Sequence, residues 1–134
     1  MREADLETFL ADPHVAFCTD GGLRGSHPRG AGSYPRVFGR YVRERRLLRL
    51  EEEVRKATSL PAARMGLTDR GIVAPGKAAD LAVFDPDAIA DAATVARPQA
   101  PPRGMVHVLV HGAFALEGGR AVGGGGGRGL RRRS

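Results

Sequence analysis

Tryptophan is absent from this chain, aromatic residues make up 5% of it, and Cys18 is the only cysteine. With so few large anchors, the core that a chain of this length can bury is expected to be poor. A nucleic-acid platform of stacked aromatic side chains is disfavoured for the same reason. A lone cysteine excludes an intrachain disulfide, and nothing points to an oxidising compartment. No apolar run approaches the roughly 18 residues needed to cross a bilayer. The opening Met1-Arg2-Glu3-Ala4-Asp5 is acidic and lacks the apolar centre of a signal peptide. The expectation is a cytoplasmic chain with no membrane partner.

What is abundant is glycine (19) and proline (9), together more than a fifth of the 134 residues, against a usual share of about 12%. The formal charge of +6 is concentrated at one end: Arg120, Arg128, Arg131, Arg132 and Arg133 lie after Gly118 with no acid among them. The rest of the chain is nearly neutral. A glycine run cannot bury enough surface to order itself, so 123–134 reads as a disordered Gly/Arg tail. Such a tail leaves room for an alternative function, a small binding module that contacts polyanions.

Taken in order, Glu3 to Ala11 reads as an amphipathic helix with Leu6, Phe9 and Leu10 on one face and acids in its first turn. Asp12-Pro13 ends it. His14 to Cys18 reads as a buried strand, and Thr19 to Tyr34 as a glycine-rich loop. Pro35 suits the first position of the next helix, which places Val37, Phe38, Tyr41 and Val42 on one face. A further helix, Glu51 to Thr58, would turn Val54 and Ala57 inward. A short one from Ser59 stops at Gly66. Beyond Leu67 the pattern becomes β-rich: a tight turn at Ala74-Pro75-Gly76-Lys77, a strand from Ala79 to Phe84, and a helical turn from Ile89 to Thr94. A proline-rich crossover from Arg97 to Gly104 leads to strands at Val106 to Val110, Ala113 to Leu116 and Arg120 to Val122.

The stretch with chemical content runs from Val15 to Arg29. A short apolar run ends at Asp20, two glycines follow, and Arg24, His27 and Arg29 share the next loop. Barrel enzymes carry their chemistry at the C-terminal ends of strands, so Asp20 is a candidate acid or base. Asp-Gly is also ordinary turn vocabulary, and the residues alone leave both readings open.

Longer motifs weigh on that choice. Pro75-Gly76-Lys77-Ala78-Ala79 followed by Asp80-Leu81-Ala82-Val83-Phe84-Asp85 resembles the "PGKxADLVVFD" signature near the C-terminus of the amidohydrolase superfamily. Val106 to Gly112 is similar to the hairpin that follows it, with His111 where the family usually has Asn. His27-Pro28-Arg29, the run Tyr34 to Arg43, Glu51 to Lys56 leading into Thr58-Ser59-Leu60-Pro61, and the ending Gly127 to Arg131 resemble the N-acyl-D-amino-acid deacylases (D-aminoacylases) of that superfamily. Departures are Thr19 for the usual Ser beside the acid, a slightly shorter loop from Asp20 to Arg29, and Arg49 in place of a helix-capping Ser.

The resemblance implies an α/β fold: 1–66 the last part of a (β/α)8 barrel, 67–122 the C-terminal strands of a small β-sandwich. It implies zinc as cofactor and an N-acyl-D-amino acid as substrate. Asp20 would lie at the metal and act as general base on the attacking water, and Arg29 would hold the substrate carboxylate. A complete barrel takes about 250 residues, and the family's other metal-ligand histidines have no counterpart. His107 and His111 are four apart on a strand, about 13 Å, too far for one ion. The expectation is a C-terminal portion that alone neither holds zinc tightly nor hydrolyses substrate, its missing N-terminal half being a partner or the rest of a longer enzyme.

Overall fold

The structure, a computed structural model, describes residues 2–22, 25–123 and 126–130. Helices come first and an antiparallel sheet second. Helix α1 (Glu3–Ala11) is started by Asp5, whose carboxylate accepts the Arg2 backbone N–H at 3.0 Å, and ends at Asp12 as the Asp-Pro pair predicts. Helix α2 (Arg29–Arg36) runs without a break into a π-helical stretch (Val37–Glu44). Helices α3 (Leu50–Ala57) and α4 (Ser59–Arg64) follow, and α4 is closed by Gly66 at φ 69°. The Leu67 and Gly66 amides return to the Ala62 and Ala63 carbonyls there, the pairing that a left-handed glycine permits.

Strands β1 (Leu81–Phe84), β2 (Met105–Val110), β3 (Ala113–Glu117) and β4 (Arg120–Ala121) form a meander in that order. His111 (φ 56°) and Gly112 (φ 81°) make the two-residue turn between β2 and β3. Positive φ at both positions matches the twist of the flanking strands. The usual Asn would tolerate this conformation more readily than His111 does.

Leu10, Val37 and Tyr41 form the buried centre of the helical part, with Leu6, Phe17, Leu47 and Leu48 against them. The Glu3 carboxylate ties α1 to the π-helical stretch by accepting from Tyr41 (2.9 Å), Arg40 (3.0 Å) and Arg45 (3.0 Å). The helices dock on the sheet through Phe38 against Phe84, 5.0 Å between ring centres, and through Arg36 on Asp91 at 3.1 Å. Ile89, 2% exposed, sits at this junction, its carbonyl accepting from Arg43 at 2.6 Å. Gly39 and Gly104 press on the same residue: a Cβ added to them would lie 2.7 Å from the Ile89 oxygen and 2.5 Å from its nitrogen.

Several expectations are corrected. Residues 14–18 belong to no strand: His14 lies in a turn closed by the Val15 amide on the Asp12 carbonyl, and no neighbouring strand among the described residues offers 15–18 a ladder. Cys18 is exposed rather than buried inside that strand. Phe9 is largely exposed, and the apolar face of α1 narrows to Leu6 and Leu10. The long loop ends at Pro28, so Pro35 lies inside α2, not at a helix start. Lacking an N–H, it interrupts the helical ladder, and the widened turns follow at once: the Arg45 amide bonds the Arg40 carbonyl, five residues back. In α3 the buried residues are Glu53 and Lys56, while Val54 faces out. Residues 89–94 form no helical turn. A turn at 86–88 is followed by an antiparallel bridge between Ala90 and Arg103. Arg24, residues 124–125 and Arg131 to Arg133 lie outside the described residues, and with them much of the predicted tail.

Candidate active site

The Thr19-Asp20-Gly21 turn folds back on the first turn of α2. A Cβ on Gly21 would stand 2.4 Å from the Gly30 Cα, so only glycine permits this approach. Thr19 Oγ1 accepts the Gly21 amide at 3.2 Å and shapes the turn. His27 Nδ1 accepts the Arg29 amide at 3.1 Å, taking one of the donors left free where the helix begins.

This geometry brings the two sequence-predicted site residues together. Arg29 Nη2 lies 2.9 Å from Asp20 Oδ2, and Arg29 Nε donates to the Asp20 carbonyl at 3.1 Å. Asp20 adopts φ 46°, a left-handed conformation that Asp tolerates better than most residues. Its side chain is 76% exposed and that of Arg29 49%. An ion pair this open contributes about 0–1 kcal/mol and is easily exchanged for another anion. The carboxylate is therefore accessible to water, and the guanidinium to a second carboxylate.

Behind the turn, the segment carrying Asp20 is held by side chains from α2 and α3. The Tyr34 hydroxyl donates to the Phe17 carbonyl at 3.0 Å, with the two rings 5.1 Å apart. Arg55 donates to the Pro13 carbonyl at 2.5 Å. Lys56 Nζ donates to the Asp12 carbonyl at 2.7 Å and to that of Leu10. Burial pushes the Tyr34 hydroxyl pKa up and the Lys56 ammonium pKa down. Beside them Glu53 is fully buried, neither carboxylate oxygen has a hydrogen-bond partner in the structure, and burial pushes its pKa up to about 7. These residues were missed because charged side chains read as solvent-facing. The one signal was the i, i+3 spacing of Glu53 and Lys56, which puts them on one helix face.

A groove of about 610 Å³ lies between the helices and the sheet, lined by Tyr34, Phe38, Val54, Ile72 and Phe84 among others. Its walls are mostly apolar. His107 packs on Phe114 and accepts the Gly118 amide, and His111 occupies the β2–β3 turn. Among the described residues no group of three or more His, Cys, Asp or Glu lies together as metal ligands would. Zinc takes three or four protein donors. Asp20, offering one open carboxylate, does not make a zinc site by itself.

Known proteins resemble this chain in both sequence and structure. An N-acyl-D-glutamate deacylase of Alcaligenes xylosoxydans is 54% identical over 86 residues, 64% of this chain and 18% of the relative. A D-aminoacylase of the same organism is 43% identical over 115 residues, covering 84% and 24%. The crystal structure of a D-aminoacylase described as defining a novel subset of amidohydrolases superimposes with a TM-score of 0.87 at 41% identity, over 92% of this chain and 27% of that one. An N-acyl-D-glutamate deacylase from Bordetella bronchiseptica, complexed with zinc and a phosphonate mimic of the tetrahedral intermediate, gives 0.80 at 41% identity, over 90% and 27%. The chain thus spans about a fifth to a quarter of the curated relatives' length and matches a C-terminal part of them. Residues 5–115 match the amidohydrolase family's sequence profile. On these grounds the chain belongs to the amidohydrolase family, in its D-aminoacylase branch.

Proposed function

We propose that this chain is the C-terminal part of a zinc-dependent amidohydrolase that cleaves the amide bond of N-acyl-D-amino acids. Asp20 is its general base at the metal site and Arg29 its anchor for the substrate carboxylate. The division is that of the sequence reading: 1–66 completes a barrel, 67–122 supplies sandwich strands and 123–134 is a tail. The observation that carries the proposal is the 2.9 Å contact between Asp20 and Arg29, in a chain that superimposes on D-aminoacylase over 92% of its length.

The exposed ion pair suits these roles. A planar guanidinium that already pairs with one carboxylate can take another, and its two parallel N–H donors suit bidentate binding. An arriving substrate carboxylate takes over Arg29 and leaves Asp20 free to accept a proton from water. Attack on the amide carbon forms the new C–O bond, and the C–N bond then breaks. Asp20 returns its proton to the departing amine, giving a carboxylic acid and a D-amino acid. Zinc, when bound, would polarise the amide carbonyl and lower the pKa of the attacking water. Its remaining ligands would come from outside this chain, so the isolated chain should not turn over substrate.

The test is a chimera in which this chain replaces the matching C-terminal part of a D-aminoacylase. Deacylation of an N-acetyl-D-amino acid is expected, falling about 10²- to 10⁴-fold on Asp20→Asn, the range of general acid–base catalysis. Full activity in Asp20→Asn, or none in a folded, zinc-loaded chimera, would overturn the proposal.

A further inference from the structure

An extended segment carries one donor and one acceptor per residue, and each needs a partner once it leaves water. Beyond the turn bond from the Val15 N–H to the Asp12 carbonyl, no backbone ladder supplies those partners between Asp12 and Asp20. Side chains do so instead: the carbonyls of Leu10 and Asp12 accept from Lys56, that of Pro13 from Arg55, that of Phe17 from Tyr34 and that of Asp20 from Arg29. Three of these bonds involve helix α3, and the other two come from α2. The path of the segment is thus set by two helices packed behind it.

The Lys56 contact is the least replaceable. The residue is fully buried, and its ammonium meets carbonyls at the C-terminal end of α1. That end of a helix is the negative pole of its dipole, where a cation is favoured, and charge-assisted bonds to carbonyls are about twice as strong as neutral ones. Tyr34 grips the chain three residues before Asp20, its ring packed on Phe17. Arg29, by contrast, takes its place from the first turn of α2 and from His27. The base thus depends on Lys56, Arg55 and Tyr34 behind its segment, while the anchor stands on the first turn of α2 and meets the base only in the exposed Asp20–Arg29 contacts.

We propose that Lys56, Arg55 and Tyr34 are positioning residues that hold the 10–20 segment so that Asp20 stands at the reacting centre. The inference rests on Asp20 being the general base. It predicts a specific split: loosening the segment displaces the base but leaves the substrate anchor in place, so kcat falls while KM holds.

The experiment uses the same chimera, with active sites counted by titration with a phosphonate inhibitor, so that loss of folded protein is not mistaken for loss of rate. Lys56→Met keeps the buried stem and removes the charge. Tyr34→Phe keeps the ring contact and removes one hydrogen bond, and it carries the test if Lys56→Met does not fold. A displacement of about 1 Å can cost about 100-fold in rate, so kcat per titrated site should fall about 10- to 100-fold in Lys56→Met and less in Tyr34→Phe. KM should stay within about twofold of the parent, since the anchor is untouched. Parental kcat per site in both variants, or a KM rising in step with the loss of kcat, overturns the positioning role alone. A parent chimera that binds the inhibitor without turnover sinks the base assignment, and this inference with it.

Discussion

Replacing Glu53 by Gln should flatten the pH dependence of stability. The carboxyl is fully buried with no hydrogen-bond partner on either oxygen. Desolvation raises its pKa from an ordinary 4.5 to about 7, more than the attraction of Lys56 lowers it. The folded state therefore keeps the proton through a range in which the unfolded chain releases it. Stability from the protonated form is fully present below about 4.5 and is lost as the pH rises through about 7. A shift of about 2.5 units, at about 1.4 kcal/mol each, makes the ionised carboxylate about 3–4 kcal/mol costlier than the acid. Urea unfolding of the 134-residue chain at pH 5 and pH 8 measures this directly. Comparing the parent with Glu53→Gln at each pH isolates the contribution of this one carboxyl. The Gln variant should be the more stable by about 2–3 kcal/mol at pH 8. At pH 5 it should be level or about 1 kcal/mol worse, because its amide N–H brings a new unpaired donor. An identical pH slope in the two proteins would show that Glu53 ionises freely in the folded state, and the burial argument would be wrong.

Two further outcomes test the packing. Gly104→Ala should lower stability by about 2–4 kcal/mol, an overpacking cost plus backbone strain, because the residue has φ 78° and its Cβ would meet Ile89 N at 2.5 Å. An unchanged urea midpoint would mean that the junction of helices and sheet is looser than drawn. Leu10→Ala should cost about 3 kcal/mol, since Leu10 is 4% exposed against Val37 and Tyr41. Thermal unfolding checks this, and a loss below about 1 kcal/mol, well short of the usual cavity cost, would contradict that core.

Local chemistry was legible in the residues. The limits of α1, the glycine stop at Gly66, the turn at residues 74–77 and the His111-Gly112 hairpin follow from dihedral preferences that act within a few residues. The motifs around Asp20, Arg29 and Pro75 to Asp85 pointed to the family for a similar reason, since each keeps its residue types in order along the chain. Asp20 and Arg29 were both named as site residues, but their contact was not foreseen. It depends on Gly21 and Gly30 meeting, residues nine apart with no periodic signal.

Tertiary structure alone decided the rest. Residues 14–18 have strand composition and no strand, because a ladder requires a neighbour that no local preference can supply. Pro35 opens helices elsewhere but lies within one here, its cost absorbed by the widened turns after it. Val54 faces out and Glu53 and Lys56 face in, because the surface opposite α3 offers backbone carbonyls for an ammonium. Periodicity reports which residues share a helix face. Whether that face meets oil, water or unpaired carbonyls is set by segments more than forty residues away, and no window of sequence contains both.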